Sequence, residues 1–256
     1  MRIAVAATAP FGADVLERLA ATHEIAQLLT RPDARRGRGR KLAPSPAKEV
    51  AARRGIPVIH DRDAIDADVV VAAAYGLLIP ESLLERALWL NVHPSLLPRW
   101  RGAAPVERAL MAGDARTGVT IHRTTAELDA GPIAAQEAFD IGPEDDAGTV
   151  YARSAEVAAR LLDGVLAGEP QFVDQPADEA TYAEKITRAD RELYPTRPPV
   201  ELVNRVRALS PHIGARFGDL LVWKARVAED GSFEPVEVQP PGGRRMKYVE
   251  YLRGRR

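Results

Sequence analysis

The sequence has no cysteine among its 256 residues. This absence excludes disulfides, thiolate zinc sites and cysteine nucleophiles, and it fits a cytoplasmic protein. Long hydrophobic runs are also missing, since the longest uncharged stretch near the middle, at residues 69–80, is shorter than the roughly 20 residues that a membrane-spanning helix needs. The composition, 46% hydrophobic and 28% charged, is typical of a folded domain. We therefore expect a cytoplasmic protein with no membrane segment.

Two ligand signatures are absent as well. The first strand-to-helix turn, ATAPFGAD at residues 7–14, lacks the G-x-G-x-x-G glycines that let a backbone approach a dinucleotide pyrophosphate. A nicotinamide-dependent dehydrogenase is therefore a weak alternative. The five histidines show no metal-ligand spacing, so we expect no metal site. The net charge of −1 argues neither for nor against a nucleic-acid partner.

The first two thirds of the chain alternate strand and helix patterns. Ser45, Pro46 and Gly55 mark the start and end of one helix, and residues 68–75 form the continuous apolar run of a central parallel strand. The amino-terminal apolar run is short and leads into an amphipathic helix, so we interpret it as a first strand and not as a signal peptide. The pattern predicts an α/β fold with a doubly wound, mostly parallel sheet. Predicted strands are 2–8, 24–30, 57–59, 68–75, 89–93, 118–125 and 132–141; predicted helices are 12–21, 45–55, 80–88, 104–113 and 146–168.

The character of the sequence changes after residue 168. Residues 169–199 are polar and proline-rich, which suggests a linker that crosses the surface. A short helix at 200–210 and strands at 220–227 and 233–239 follow. We predict a first domain at 1–190 and a small second domain at 191–256, which is small enough to be marginally stable alone.

The chemistry-bearing residues lie around one predicted strand end. Asn91 and His93 are two positions apart on a strand, so their side chains point to the same face, near the carboxyl edge where open α/β sheets bind ligands. Asp129 follows in a tight loop between two strand patterns, and it can reach His93 if those strands flank the strand of His93. Such a trio suits acyl transfer to an amine: Asn and His can donate to an oxyanion, and Asp can orient His and promote proton removal.

A structural interpretation competes with this one. An Asn and a His on one strand are often hydrogen-bonded core or edge groups, and an Asp beside a Gly is usually a turn residue. From spacing alone, both interpretations remain open. His122, in the next predicted strand, is interpreted as a strand residue near the pocket without a catalytic role.

Several stretches resemble the 10-formyltetrahydrofolate-dependent formyltransferases. They are NVHPSLLPRWRGAAPVERALMAGD (91–114), TGVTI (117–121) and LDAGPI (128–133). Other segments are similar to the branch of that family that acts on tRNA, and together they extend the resemblance over almost the whole chain. These are residues 31–51, 70–80, 181–186, 206–215, 222–227 and 238–246.

The resemblance implies a function and a set of site residues. Asn91, His93 and Asp129 match the catalytic trio, and the folate-contacting turn is matched by Ser95, Leu96, Leu97 and Pro98. The implied reaction moves a formyl group from the co-substrate 10-formyltetrahydrofolate to the methionine α-amine of initiator Met-tRNA, without a metal. The implied fold is a Rossmann-like catalytic domain followed by a small C-terminal β-barrel-like domain. That domain is shortened here, because only Gly231–Phe233 separate two of its strand segments. We expect a monomer.

Basic residues are concentrated in two segments. The first, at residues 31–41, contains glycines and is predicted to be a flexible loop that contacts tRNA phosphates; the contacts are assigned to Arg35, Arg36, Arg38, Arg40 and Lys41. The second closes the chain. Each could instead be a solvated charge run.

Two further alternatives remain open. A sugar-nucleotide N-formyltransferase would share the Asn, His and Asp trio but would not need the arginine segment. A non-catalytic RNA-binding module would use the basic segments but would leave the trio without a role.

Overall fold

The structure is a computed structural model that describes residues 1–36 and 41–254. Its strands are β1 (Ile3–Ala7), β2 (Ile25–Leu29), β3 (Ala34–Arg36), β4 (Lys41–Ala43), β5 (Val58–Ile59), β6 (Val69–Ala73), β7 (Leu88–His93), β8 (Arg101–Gly102), β9 (Arg116–Arg123), β10 (Ile133–Asp140), β11 (Tyr182–Ala183), β12 (Ala215–Phe217), β13 (Leu220–Val227), β14 (Phe233–Gln239) and β15 (Met246–Lys247). Its α-helices are α1 (Pro10–Thr22), α2 (Pro46–Arg54), α3 (Glu81–Leu84), α4 (Pro105–Ala112), α5 (Ala147–Leu166), α6 (Pro199–Leu209) and α7 (Tyr248–Arg253). Within these described ranges, no helix combines the length and apolar character that crossing a membrane requires.

The main sheet has seven strands in the order β10-β9-β7-β6-β1-β2-β5. The strands from β7 to β5 pair in parallel, whereas β9 pairs antiparallel with β7. All five residues of β1 and of β6 are buried, as expected for central parallel strands that are covered on both faces. The predicted fold class, a Rossmann-like and mostly parallel α/β sheet, is confirmed.

Local signals in the sequence determine the ends of α2 as predicted. The Ser45 hydroxyl accepts a hydrogen bond from the backbone N–H of Lys48, and Pro46 begins the helix. Gly55 ends it with φ +67°, a left-handed conformation that glycine adopts without a Cβ clash. The helix therefore leads from the carboxyl end of β2 back to the start of β5, the connection that a parallel sheet requires.

The chain forms two compact units. The first comprises residues 1–101, 118–138 and 152–181, and the second residues 102–117, 139–151 and 182–256. In the second unit, α6 packs on an antiparallel sheet of order β12-β13-β14-β15 around the buried side chains of Leu202, Val206, Leu209, Val222 and Val238. This small antiparallel sheet agrees with the predicted fold class. The predicted domain boundary near residue 190 stays a prediction.

The basic segment differs from its prediction. The sequence predicts a flexible loop at residues 31–41, but β3 and β4 pair antiparallel, with Arg35 opposite Leu42 and Arg36 opposite Lys41. Asp33 accepts a hydrogen bond from Lys48 Nζ at 2.7 Å, which ties the start of this hairpin to α2. The loop prediction is therefore wrong for the two strands, because glycine content does not exclude local strand pairing.

The predicted surface linker is also more ordered than expected. Within it, Val173 exchanges two backbone hydrogen bonds with Ile133, at 2.7 and 2.9 Å. The Thr181 carbonyl accepts from the backbone N–H of Arg101 at 2.8 Å. The stretch from Val173 to Thr181 is therefore held against β10 and against the turn that follows β7, so it is part of the first compact unit.

Candidate active site

Asn91 and His93 occupy the end of β7 and face the same side of the sheet, as their spacing predicted. The antiparallel register with β9 places His122 opposite Asn91 and Thr120 opposite His93. His93 is 4% exposed, so its imidazole lies almost entirely out of water. The neighbouring strand thus adds a second imidazole to the face that carries the predicted pair.

Asp129 lies in the loop between β9 and β10, and its carboxylate reaches both residues of β7. One oxygen, Oδ1, accepts from Asn91 Nδ2 at 3.2 Å, and Oδ2 is 3.7 Å from His93 Nδ1. The Asp129 side chain is only 11% exposed. The structure therefore brings the three residues together, although only one of the two strands around Asp129, β9, is a neighbour of β7.

Hydrogen bonding determines which nitrogen of His93 carries its hydrogen. His93 Nε2 is 2.8 Å from the carbonyl oxygen of Trp100, which can only accept. Nε2 therefore donates, and Nδ1 of the neutral ring turns its lone pair toward Asp129. Burial lowers the pKa of His93, the Asp129 carboxylate and the Trp100 carbonyl raise it less, and His122 lowers it further. The net effect favours a neutral imidazole whose Nδ1 is unprotonated.

His122 is the site residue that sequence reasoning underrated. It is 1% exposed, and its Nδ1 donates to the carbonyl oxygen of Arg123 at 3.0 Å. Its Nε2 therefore accepts the hydrogen bond from Asn91 Nδ2 at 3.0 Å, and it lies 3.6 Å from Asp129 Oδ1. The prediction that His122 lies near the pocket is consistent with these contacts, but the sequence offered no signal for the register that brings it to Asn91.

Both amide hydrogens of Asn91 are engaged. One is directed to His122 Nε2 and the other to Asp129 Oδ1. A substrate oxygen can receive an N–H from Asn91 only if one of these contacts exchanges. The contact with Asp129 is the longer of the two, and a carboxylate has further acceptor sites, so it is the easier one to exchange.

The predicted folate turn is hydrogen-bonded to the neighbouring strands β9 and β10. Ser95 is fully buried and Leu97 is 4% exposed, whereas Leu96 and Pro98 are half-buried. The Leu97 backbone N–H donates to Thr120 Oγ1, and its carbonyl accepts from Gln136 Nε2. The turn therefore presents mainly the apolar surfaces of Leu96 and Pro98.

A second apolar loop was not singled out in the sequence. Leu77 and Leu78 follow β6, the strand next to β7, and are 45% and 78% exposed. Arg62 Nη1 donates to the Leu78 carbonyl at 2.8 Å and fixes part of this loop. Residues 76–80 carried a signal, since this apolar run directly follows a predicted central strand and open α/β sheets bind ligands outside the carboxyl ends of their strands.

The structure locates part of the predicted tRNA-binding set. Arg35 and Lys41 are exposed on the β3–β4 hairpin, and Arg36 ends β3. Arg38 and Arg40 lie outside the described residues. The hairpin follows the carboxyl end of β2, at the same edge of the parallel sheet as the end of β7.

The described part of the chain holds no group of three or more His, Cys, Asp or Glu side chains that could bind a metal ion. The cluster of Asn91, His93, His122 and Asp129 contains only one carboxylate, and both imidazoles already donate one N–H to backbone carbonyls. Its geometry suits proton transfer and hydrogen bonding.

Comparison with known proteins identifies relatives of the chain. The model of the formyl transferase family matches residues 1–166. The methionyl-tRNA formyltransferase of Dechloromonas aromatica (strain RCB) is 36% identical over 294 aligned residues, which cover 99% of this chain and 96% of the relative. The match to the relative therefore includes both compact units.

Two solved structures share the fold. The methionyl-tRNA formyltransferase from Clostridium thermocellum superposes with a TM-score of 0.67 at 16% identity, over 94% of this chain and 98% of that one. The N-formyltransferase from Helicobacter canadensis, solved with folinic acid and dTDP-3-aminofucose, gives a TM-score of 0.69 at 16% identity, over 89% and 88% of the two chains. At these identities, the two structures support the fold alone.

The geometry of the cluster predicts how His93 titrates. We expect its imidazole to remain neutral at pH 7, and we expect Asp129→Asn to lower the pKa of His93 further, because the mutation removes the charge that favours the imidazolium. NMR titration of the imidazole signals, with the His93 signal assigned from a His93→Gln variant, measures both effects. Asp163→Asn is the matched control, since Asp163 contacts His23 instead; a rise in the His93 pKa in Asp129→Asn would contradict the geometry.

Proposed function

The chain belongs to the formyl transferase family, with methionyl-tRNA formyltransferases among its relatives, and from this premise we propose that it transfers the formyl group of 10-formyltetrahydrofolate to the methionine α-amine of initiator Met-tRNA. The observation that carries the proposal is the contact of the Asp129 carboxylate with both Asn91 and His93. A buried carboxylate, a neutral imidazole and an amide donor provide the groups that a direct attack by an amine needs.

In this proposal, His93 is the general base. The amine nitrogen bonds to the formyl carbon, and the proton that it loses passes to Nδ1 of His93, because Nε2 is already protonated and donates to Trp100. The imidazolium that forms is stabilised by Asp129 Oδ2 at 3.7 Å. Collapse of the tetrahedral intermediate breaks the bond to N10 of the folate, which takes the proton from the His93 imidazolium and leaves as tetrahydrofolate, so that the neutral imidazole is regenerated.

Asn91 is proposed to stabilise the oxyanion of that intermediate. Its N–H toward Asp129 Oδ1 exchanges for the substrate oxygen, while the N–H to His122 keeps the amide oriented. The sequence predicts that Asn91 and His93 share this role. A neutral His93 gives its one N–H to the Trp100 carbonyl and has no second hydrogen for an oxyanion, so we assign the role to Asn91 alone. Catalytic hydrogen bonds often form only once substrate is bound, which is consistent with the exchange.

The folate donor is proposed to lie against the turn at Ser95–Pro98. Leu96 and Pro98 offer apolar contact, and the exposed Leu77 and Leu78, which follow the neighbouring strand β6, offer a second apolar surface at the same sheet edge. The buried Ser95 and Leu97 support the turn from beneath, through bonds of Ser95 Oγ to Arg99 and of Leu97 to Thr120. We further propose a cytoplasmic monomer that uses no metal, with a domain boundary near residue 190.

The choice of acceptor is the first test. Purified protein with 10-formyltetrahydrofolate should form N-formylmethionine on charged initiator Met-tRNA and should not formylate free methionine or an amino-sugar nucleotide in parallel reactions. Formylation of the amino-sugar nucleotide without formylation of the tRNA would be consistent with the proposed roles of Asn91, His93 and Asp129, but it would make the sugar nucleotide the acceptor. No transfer to any acceptor, with charged tRNA bound, would favour a non-catalytic RNA-binding protein.

The trio predicts a common effect of mutation. Asn91→Ala, His93→Ala and Asp129→Ala should each lower kcat by about 10² or more, because each removes a group that acts in the transition state. Steady-state kinetics measures the effect, and circular dichroism checks that the variants fold. His23→Ala, at the end of α1, is the control and should remain active; full activity in His93→Ala would refute the assignment.

The hairpin predicts a salt-dependent contact with tRNA. The double variant Arg35→Gln, Lys41→Gln should raise the KM for Met-tRNA by on the order of tenfold with little change in kcat, since both side chains are exposed and far along the chain from the trio. The slope of log affinity against log salt should fall by about 1 for each phosphate that the variant no longer binds.

A matched control separates this contact from general charge effects. Arg53 is 62% exposed in the last turn of α2, at the opposite end of that helix from the hairpin. Arg53→Gln should leave both the KM and the salt slope unchanged. Equal effects of the control and of the hairpin variant would rule out a specific contact there.

A further inference from the structure

Gln175 connects parts of the candidate site that are far apart in sequence. It lies in the segment whose composition predicts a surface linker, yet its amide is hydrogen-bonded on both sides. Nε2 donates to the carbonyl oxygens of Asp129, at 2.9 Å, and Gly131, at 2.7 Å. Oε1 accepts from Arg101 Nε at 3.0 Å and from Arg101 Nη2 at 2.9 Å.

These four bonds use the complete donor and acceptor capacity of a primary amide. A carboxylate at this position could pair with Arg101 but could not donate to two carbonyls. An ammonium could donate to the carbonyls but would repel Arg101. The position therefore requires an amide of this length, which a solvent-exposed linker residue would not.

The four hydrogen bonds of Gln175 form a bridge between Arg101 and the loop of Asp129. Its first end, Arg101, is next to Trp100, the residue whose carbonyl accepts from His93. The Arg101 side chain is only 5% exposed, and in addition to Gln175 it contacts Glu127, whose Oε1 lies 3.5 Å from Arg101 Nη1 and forms an ion pair with it. Arg101 directly follows Trp100, whose carbonyl accepts from His93 Nε2 at 2.8 Å. The backbone N–H groups of Trp100 and Arg101 donate to the hydroxyl and the carbonyl of Thr181, so this end is fixed by backbone and side chain together.

The other end of the bridge is the backbone that carries the candidate catalytic carboxylate. Asp129 has φ +50°, in the left-handed region that non-glycine residues rarely adopt. Gly131 is packed so closely that an added Cβ would lie 1.8 Å from the Arg123 carbonyl oxygen. A loop with a disfavoured torsion and no spare volume needs external bonds to hold it, and Gln175 supplies two of them.

The consequence for the site is geometric. Asp129 Oδ2 is 3.7 Å from His93 Nδ1, so a shift of one ångström in the loop changes that interaction substantially. Gln175 connects the Asp129 backbone to Arg101, and Arg101 directly follows Trp100, whose carbonyl orients the His93 ring. The position of the carboxylate is therefore linked to the position of the imidazole. We propose that Gln175 is a positioning residue for formyl transfer, which sets the distance between the Asp129 carboxylate and His93 by joining Arg101 to the carbonyls of Asp129 and Gly131. This inference rests on the proposed function.

The variant Gln175→Glu tests the bridge most sharply. It preserves a partner for Arg101 and the size of the side chain, but it removes both donors to the loop carbonyls. We expect kcat to fall about 10-fold or more, with the KM values for the folate and for Met-tRNA changed less than about twofold, because positioning acts on the transition state. Gln175→Ala should lower kcat at least as much. Gln171→Ala, an exposed glutamine in the same segment, is the matched control and should behave like the wild type.

A readout apart from activity separates positioning from general structural damage. Asp129 raises the pKa of His93, while burial and His122 lower it. If the loop moves away in Gln175→Glu, NMR titration should show the pKa of His93 fall toward its value in Asp129→Asn. Unfolding midpoints in urea for Gln175→Glu and Gln171→Ala should remain close to that of the wild type.

The outcomes are distinct. Wild-type kcat or an unchanged His93 titration in Gln175→Glu, in a preparation whose wild type formylates Met-tRNA, would overturn the positioning role. A lower kcat together with the shifted His93 pKa would support it. Absence of formyl transfer by the wild type, with the His93 pKa still shifted in Gln175→Glu, would overturn the proposed function and leave the bridge as a determinant of the geometry of this cluster. If Gln175→Ala does not fold, Gln175→Glu still decides, because it retains the partner of the buried Arg101.

Discussion

Asp129 has only 11% of its side chain exposed, and a carboxylate so far from water must find donors in the protein. Asn91 Nδ2 is one such donor, to Oδ1 at 3.2 Å, whereas the unprotonated nitrogens of His122 and His93 lie 3.6 and 3.7 Å from Oδ1 and Oδ2. Because each imidazole has its other nitrogen committed to a backbone carbonyl, each ring turns its remaining nitrogen into the cluster. The position of one carboxylate thus depends on, and helps to fix, the orientation of three side chains.

Backbone carbonyls set the protonation pattern of this cluster. Trp100 supplies the acceptor for His93, and Arg123 supplies the acceptor for His122. Trp100 reaches its position with φ +65°, a conformation that costs of the order of 1–3 kcal/mol for a residue with a Cβ. Hydrogen bonds offset that cost, including one within the turn, from Ser95 to Arg99, and one from the turn to β9, between Leu97 and Thr120. These hydrogen bonds therefore stabilise a rigid turn whose apolar surface remains available to a ligand.

The segment after α5 contributes more to the site than its composition suggests. It is polar and rich in proline, so it has the character of a connector, yet Val173, Gln175 and Thr181 all bond to the strand or loops around the cluster. Side chains such as Leu77 and Leu78, and the hairpin bearing Arg35 and Lys41, lie at the same carboxyl edge of the sheet. The proposed binding surfaces for folate and tRNA are thus built from segments that follow strands of the main sheet, whereas β7 holds two of the three groups proposed for chemistry.

The sequence alone determined the features that depend on near neighbours. The caps of α2 at Ser45 and Gly55, the buried strand at Val69–Ala73 and the shared face of Asn91 and His93 all follow from local periodicity and backbone preference. Tertiary structure decided the contact of Asn91 with His122, 31 positions away, and the bridge from Arg101 to Gln175, 74 positions away. It also decided the tautomer of His93, because no motif specifies that the Trp100 carbonyl accepts from its Nε2. The physical reason is that periodicity determines where a side chain points along its own strand, but strand register and loop return determine what it meets, and these result from packing across the whole unit.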